Sequence, residues 1–168
     1  MINVIRLHNY VQFLRHQYLD TFETLSWKEF VKDRGASFDS LRNIYLHSIE
    51  CVDFITRLIQ SVNPLSIRHA PIPYDEYTTI EPIQEYLGQV ESRFNSLLSQ
   101  LTPSDMRRKV ARMHGNESSS TSTVEDHLIH LFQEEIHHFG EFIALLWQMN
   151  VKPPHTGWVN YLTLTRQK

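Results

Sequence analysis

Hydrophobic residues recur every three or four positions along most of the chain, the spacing that gathers side chains on one face of an α-helix. From Asn3 to Leu25 the stripe is Val4, Leu7, Val11, Leu14, Tyr18 and Phe22. Trp27 to Val31 adds a short helical turn, and "KDRGAS" breaks the pattern. A second helix opens near Ser37, a residue type that caps the free N–H groups of a first turn, and runs to about Val62. Its stripe is Leu41, Ile44, Tyr45, Ile49, Val52, Ile55 and Ile59. A third runs from Thr79 to Leu101 through Ile83, Tyr86, Leu87, Val90, Phe94 and Leu97/Leu98, with Pro82 tolerated in its first turn. The last long helix starts at Thr123, where Asp126 is placed to complete a capping box, and ends near Asn150 before "KPP".

The segments between these helices carry other patterns. "NPLSIRHAPIPYDEY" is too rich in proline for a packed element, and "TPSDM" reads as a capped short turn. In "RRKVARMHGNESSSTSTVED", Val110, Arg112 and His114 alternate with Ala111 and Met113, "HGNES" supplies a turn, and the following threonines suit strands. A two-stranded hairpin or an ordered loop is expected there. Trp158 and Tyr161 in the tail are expected to pack back on the body. Four long helices with short to moderate links predict an all-α, up-and-down type four-helix bundle forming a single domain over residues 1–168. At 168 residues and 41% hydrophobic, the chain can bury one sizeable core.

Composition narrows the function classes. Net charge is -3 and the longest basic run is Arg107-Arg108-Lys109, so no nucleic-acid partner is expected. No apolar stretch reaches transmembrane length, and "MINVIRLHNY" lacks the pattern of a signal peptide, so no membrane partner is expected. Cys51 is the only cysteine, which excludes an intrachain disulfide and fits a reducing, cytoplasmic setting.

The chemistry concentrates in "HLIHLFQEEIHHFGE", residues 127–141, with four of the ten histidines. On a helical wheel Leu128, Phe132, Ile136, Phe139, Phe142, Ile143 and Leu146 form the apolar arc. His127, His130, Glu134, His137, His138 and Glu141 lie outside it, His138 and Glu134 at its edge. His130, Glu134 and His138 form a ladder of four-residue steps, and two ligands at that spacing can reach one ion. A further ligand has to come from another helix, and His47 lies at a core edge of the second helix. Two imidazoles and a carboxylate would leave positions open for water or substrate. A histidine-rich solvated face accounts for much of the same pattern. Cys51, four residues after His47, is a possible thiolate ligand but is expected to be an inert core residue. Gly140 reads either as a surface glycine or as room beside His138, and Tyr45, Trp147 and Trp158 read as core aromatics.

Two stretches resemble the DinB-like superfamily of metal-binding four-helix bundles, which is unrelated to the DNA polymerases of similar name. "SFDSLRNIYLHSIE" is similar to its second-helix segment, with His47 at the histidine position. "HLFQEEIHHFGEFIALLWQMNVKPP" is similar to its last helix, where two histidines four apart precede a glycine; His138 and Gly140 match. The first of that histidine pair is here Glu134. The resemblance implies a metal site of His47, Glu134 and His138 holding Zn, Ni, Mn or Fe. It also implies a low-molecular-weight thiol as co-reactant, a small-molecule substrate, a homodimer, and thiol transfer, isomerisation or metal-assisted hydrolysis. Phe139 and Glu141 stand where the family often has arginine and glutamine. The alternative is a non-catalytic, stress-associated bundle with an altered or empty site.

Overall fold

In the computed structural model, which describes residues 3–114 and 118–165, most helices start where a side chain takes up the free N–H groups of the first turn. Asn3 accepts from the Arg6 N–H at 3.1 Å and opens α1 (Val4–Glu23). Ser26 accepts from Glu29 and opens α2 (Trp27–Phe30). The Ser40 hydroxyl accepts from the Asn43 N–H at 3.2 Å at the head of α3 (Leu41–Gln60). After α4 (Ile80–Gln100), Thr102 and Asp105 make a capping box on α5 (Pro103–Met106). Two antiparallel strands follow, β1 (Lys109–His114) and β2 (Ser118–Thr123), with Val110 opposite Ser122 and Arg112 opposite Ser120. The expected pair Thr123 and Asp126 caps α6 (Val124–Gln148), each accepting from the other's N–H, at 3.1 and 2.9 Å. The last described element is α7 (Trp158–Thr165).

The structure is thus mostly helical with a small sheet where a hairpin or loop is expected. Part of the "HGNES" turn, residues 115–117, lies outside the described residues. Three boundaries differ from the sequence expectation. The second long helix begins at Leu41 rather than Ser37, because Gly35 and Asp39 have φ of 64° and 67°. The Arg34 N–H donates to the Asp39 carbonyl at 2.7 Å, closing residues 34–39 into a turn that a helix cannot run through. The proline-rich loop holds two single 3₁₀ turns, Pro64–Ser66 and Tyr74–Glu76. The tail, expected only to pack back on the body, forms a helix, α7.

The chain divides into two compact units, residues 1–44 with 135–168, and residues 45–134. The first has an aromatic core: the Tyr18 ring lies 5.1 Å from both Phe139 and Phe142, and Phe22 lies 5.0 Å from Phe142. Within it Arg15 and Glu135, each 1% exposed, form an ion pair at 3.0 Å. α7 rests on α1 through Tyr10, whose ring meets Trp158 and Tyr161 edge-on and whose hydroxyl donates to the Thr156 carbonyl. The second unit buries Ile49, Val52, Ile55 and Ile59 of α3 and Ile83, Leu87, Val90 and Phe94 of α4. Arg108 ties its sheet side to α3 by donating to the Ile59 carbonyl at 2.8 Å. No helix among the described residues is long and apolar enough to cross a membrane.

Two stability measurements follow. Glu135→Ala leaves the Arg15 guanidinium buried without its carboxylate and is expected to cost about 3–5 kcal/mol in urea unfolding. The pair Arg15→Met with Glu135→Leu should cost less than the sum of the two single changes. Gly140 is exposed and a Cβ there would meet nothing within 4 Å. Gly140→Ala is therefore expected to raise stability by up to about 1 kcal/mol through helix propensity.

Candidate metal site

Residues four apart on α3 share a face, and His47 and Cys51 use it: Nε2 of His47 lies 3.4 Å from the Cys51 sulfur. Glu50 lies between them in sequence and is 2% exposed. The loop after α3 brings His69 back over this turn, with Nε2 of His69 3.2 Å from Oε1 of Glu50. Oε2 of Glu50 accepts from the Tyr74 hydroxyl at 3.2 Å and faces Nδ1 of His47 at 3.9 Å. Phe54 stands edge-on to the His69 ring at 5.2 Å.

His47, Cys51, Phe54 and His69 wall a cavity of about 200 Å³ lying within the second unit. Its other walls are Ile55, Arg112, and His130, Leu131 and Glu134 of α6. Strand alternation sets Arg112 on the same face of β1 as the buried Val110. The Arg112 guanidinium lies over the Phe54 ring at 5.1 Å, and its Nε makes no hydrogen bond among the described residues. His47 and Glu134, both expected from sequence as ligands, therefore line one cavity.

His138 stands one turn beyond Glu134 on the unbroken α6 and is 4% exposed. Its Nδ1 is 2.7 Å from Oε2 of Glu141; the carboxylate can only accept, so Nδ1 carries the proton and Nε2 is the basic nitrogen. Glu141 also accepts from the Ser37 N–H at 3.2 Å and the Ser37 hydroxyl at 2.9 Å. Within the second unit His47, Cys51 and His69 are suited to offer one ligand atom each to an ion.

Several expected placements on α6 and its neighbours need correction. His127 is buried, with Nε2 3.5 Å from the Val110 carbonyl, and is not a surface residue. Glu141 is not simply solvent-facing, because it holds His138 and Ser37. Ile136, placed by the wheel on the core arc, and Trp147, read as a core aromatic, are exposed, at 39% and 58%. Leu128, Phe139, Phe142 and Leu146 of the arc are buried as expected, and the inward face extends to one side of them to take in His127, Leu131, Glu135, His138 and Leu145. Cys51 is half-buried on the cavity wall and not in the core. His130 lines the cavity but is exposed, and His137 is exposed as expected. His69, Glu50 and Arg112 carried no sequence signal as site residues, since their placement depends on loop folding and strand pairing.

Burial lowers the basicity of His69, the nearby Glu50 carboxylate partly restores it, and His47 and Arg112 lower it again. Burial, followed by Glu50, raises the Tyr74 phenol, so it remains a donor. At Glu141 burial pushes the carboxyl up, but the hydrogen bonds from His138 and Ser37 outweigh it and hold the group below its usual range.

The profile of the DinB family matches residues 1–168. Among solved structures, the chain is similar to the crystal structure of a DinB-like protein from Bacillus cereus ATCC 10987. The two are 16% identical, the match covers 90% of this chain and 94% of the other, and the TM-score is 0.68. No curated protein matches the sequence. At that identity the structural likeness establishes the fold.

His127 supplies a pH test. Burial lowers its folded-state pKa below the ordinary 6.5. The unfolded chain therefore takes up this proton first, and stability falls as pH drops below about 6.5 until the folded-state pKa is passed. His127→Asn is expected to shrink the loss of melting temperature between pH 7.5 and pH 5; an unchanged loss would assign the acid sensitivity elsewhere.

Proposed function

The chain belongs to the DinB family, and from that premise we propose that it is a divalent-metal protein holding its ion with His47, Glu134 and His138. The observation that carries this reading is the single cavity walled by His47 and Glu134, with His138 one helical turn farther along α6. The donor chemistry suits an ion. Glu141 fixes the proton of His138 on Nδ1, and an imidazole backed by a carboxylate is the usual state of a metal-ligating histidine. Two imidazoles and one carboxylate suit Zn, Ni, Mn or Fe in the divalent state.

When bound, such an ion lowers the pKa of a coordinated thiol or water and makes it a nucleophile near neutral pH. The chain's own residues supply the rest. The cavity admits a small substrate and a thiol of low molecular weight. Arg112, a cation on its wall, orients a negatively charged group. His130, at the exposed side, takes up or delivers a proton. These parts fit a thiol S-transferase or a related hydrolase or isomerase. The same reading takes residues 1–168 as one domain, with α1, α3, α4 and α6 forming an up-and-down four-helix bundle. It also takes the protein as a cytoplasmic homodimer, supported by the exposed apolar surface at Trp147 and Ile136.

Metal analysis and calorimetry on untagged protein test the core of this. Near-stoichiometric metal, lost by at least about tenfold in affinity in His47→Ala, Glu134→Ala and His138→Ala, is the expected result. A chain that takes up none of Zn, Ni, Mn or Fe is instead a non-catalytic member with an altered site. Glu134→Ala binding at full strength would remove that residue from the ligand set. A loaded protein should also speed attack of a small thiol on a generic electrophile.

A further inference from the structure

We propose a second ion site on the same cavity wall, formed by Cys51, His69 and the shared His47, that takes thiophilic divalent ions such as Zn²⁺ and Cd²⁺. It goes beyond the preceding reading, which uses neither Cys51 nor His69. The ligand atoms of the three residues lie within 4.8 Å of one another. One separation is diagnostic. An imidazole nitrogen at about 2.0 Å and a thiolate at about 2.3 Å from one tetrahedral zinc are about 3.5 Å apart. Nε2 of His47 and the Cys51 sulfur are 3.4 Å apart, so both reach one ion with little rearrangement.

A buried carboxylate lies behind these ligands. Glu50 is 2% exposed and presents its carboxylate to Nδ1 of His47 at 3.9 Å and to Nε2 of His69 at 3.2 Å. These are ion-pair distances from one buried carboxylate, whose negative charge favours a cation beside both rings. Tyr74 donates to the same carboxylate at 3.2 Å and Phe54 braces the His69 ring, so the supporting groups are themselves held. Loading the site breaks the S–H bond of Cys51, releases its proton to solvent and forms one metal–sulfur bond, with no change of oxidation state. Water or a small ligand completes the coordination from the cavity.

Because Cys51 is the only cysteine, its alkylation reports this site alone. Full-length untagged protein is treated with iodoacetamide with and without saturating Zn²⁺, and labelling is followed by mass spectrometry. Zn²⁺ is expected to slow labelling at least about tenfold, as a coordinated thiolate is withdrawn from attack. The protection should persist in Glu134→Gln, vanish in His69→Ala, and be absent with Mn²⁺, which prefers oxygen. Calorimetry on the same samples keeps the two sites apart. Zn²⁺ that binds without protecting Cys51 overturns this proposal and leaves the His47, Glu134 and His138 reading standing. Protection that disappears in Glu134→Gln but survives His69→Ala overturns it as well, since the thiol is then merely covered by an ion held elsewhere.

Discussion

A carboxylate buried to the depth of Glu50 has to be compensated, because an isolated charge in a low-dielectric interior costs several kcal/mol. The chemistry of the cavity depends on how that requirement is met. Three groups converge on Glu50: His69 at 3.2 Å, the Tyr74 hydroxyl at 3.2 Å and His47 at 3.9 Å. Two of them come from the long loop after α3, so the buried charge anchors a segment whose proline content denies it a regular ladder of hydrogen bonds. The same carboxylate places a negative charge beside both imidazoles of the cavity wall. A neutral, apolar residue at this position would relieve the desolvation, but it would leave the Tyr74 hydroxyl, and with it the loop, without this acceptor.

A second constraint acts along α6. Glu134 and Glu135 are adjacent, and the helix sends them about 100° apart. One is half-buried on the cavity; the other is buried against Arg15 at 3.0 Å. Turning α6 by one residue would separate Glu135 from Arg15 and strand two buried charges, a larger penalty than any shift in apolar packing would offset. The ion pair thereby holds the rotation of α6 within the first unit.

That constraint also explains what could be read from sequence. All seven positions of the α3 stripe are buried, because on that helix apolarity and burial coincide. On α6 they do not. His127, Glu135 and His138 occupy inward positions while Ile136 and Trp147 point outward, so a wheel drawn on hydrophobicity finds only part of the inward face. His47 and Glu134 were legible because four-residue spacing and resemblance act locally, and the cavity brings both together. His69 and Arg112 were not, since nothing in "IRHAP" or "VARMH" encodes where a loop returns or which strand face is covered. The capping signals at Thr102 and Thr123 were legible for the opposite reason, being complete within four residues.

The two ligand sets sharing His47 differ less in charge than their composition suggests. Two imidazoles with a carboxylate, or with a thiolate, each carry one negative charge, so a divalent ion leaves the same net +1 in either. Arg112 repels both ions from the same wall. The difference lies in protonation and softness. An ordinary carboxylate is already ionised at pH 7, whereas an ordinary thiol with a pKa of about 8.5 must first lose a proton, at about 2 kcal/mol. The oxygen set therefore starts ahead for any ion indifferent to donor type, and the lead shrinks by about 1.4 kcal/mol per pH unit until the thiol ionises. Only an ion whose preference for sulfur over oxygen exceeds that lead moves to Cys51 and His69. On the two proposed readings Glu134 and Cys51 separate the sets by the hardness of the ion each would accept, and His47 is the residue over which they would compete.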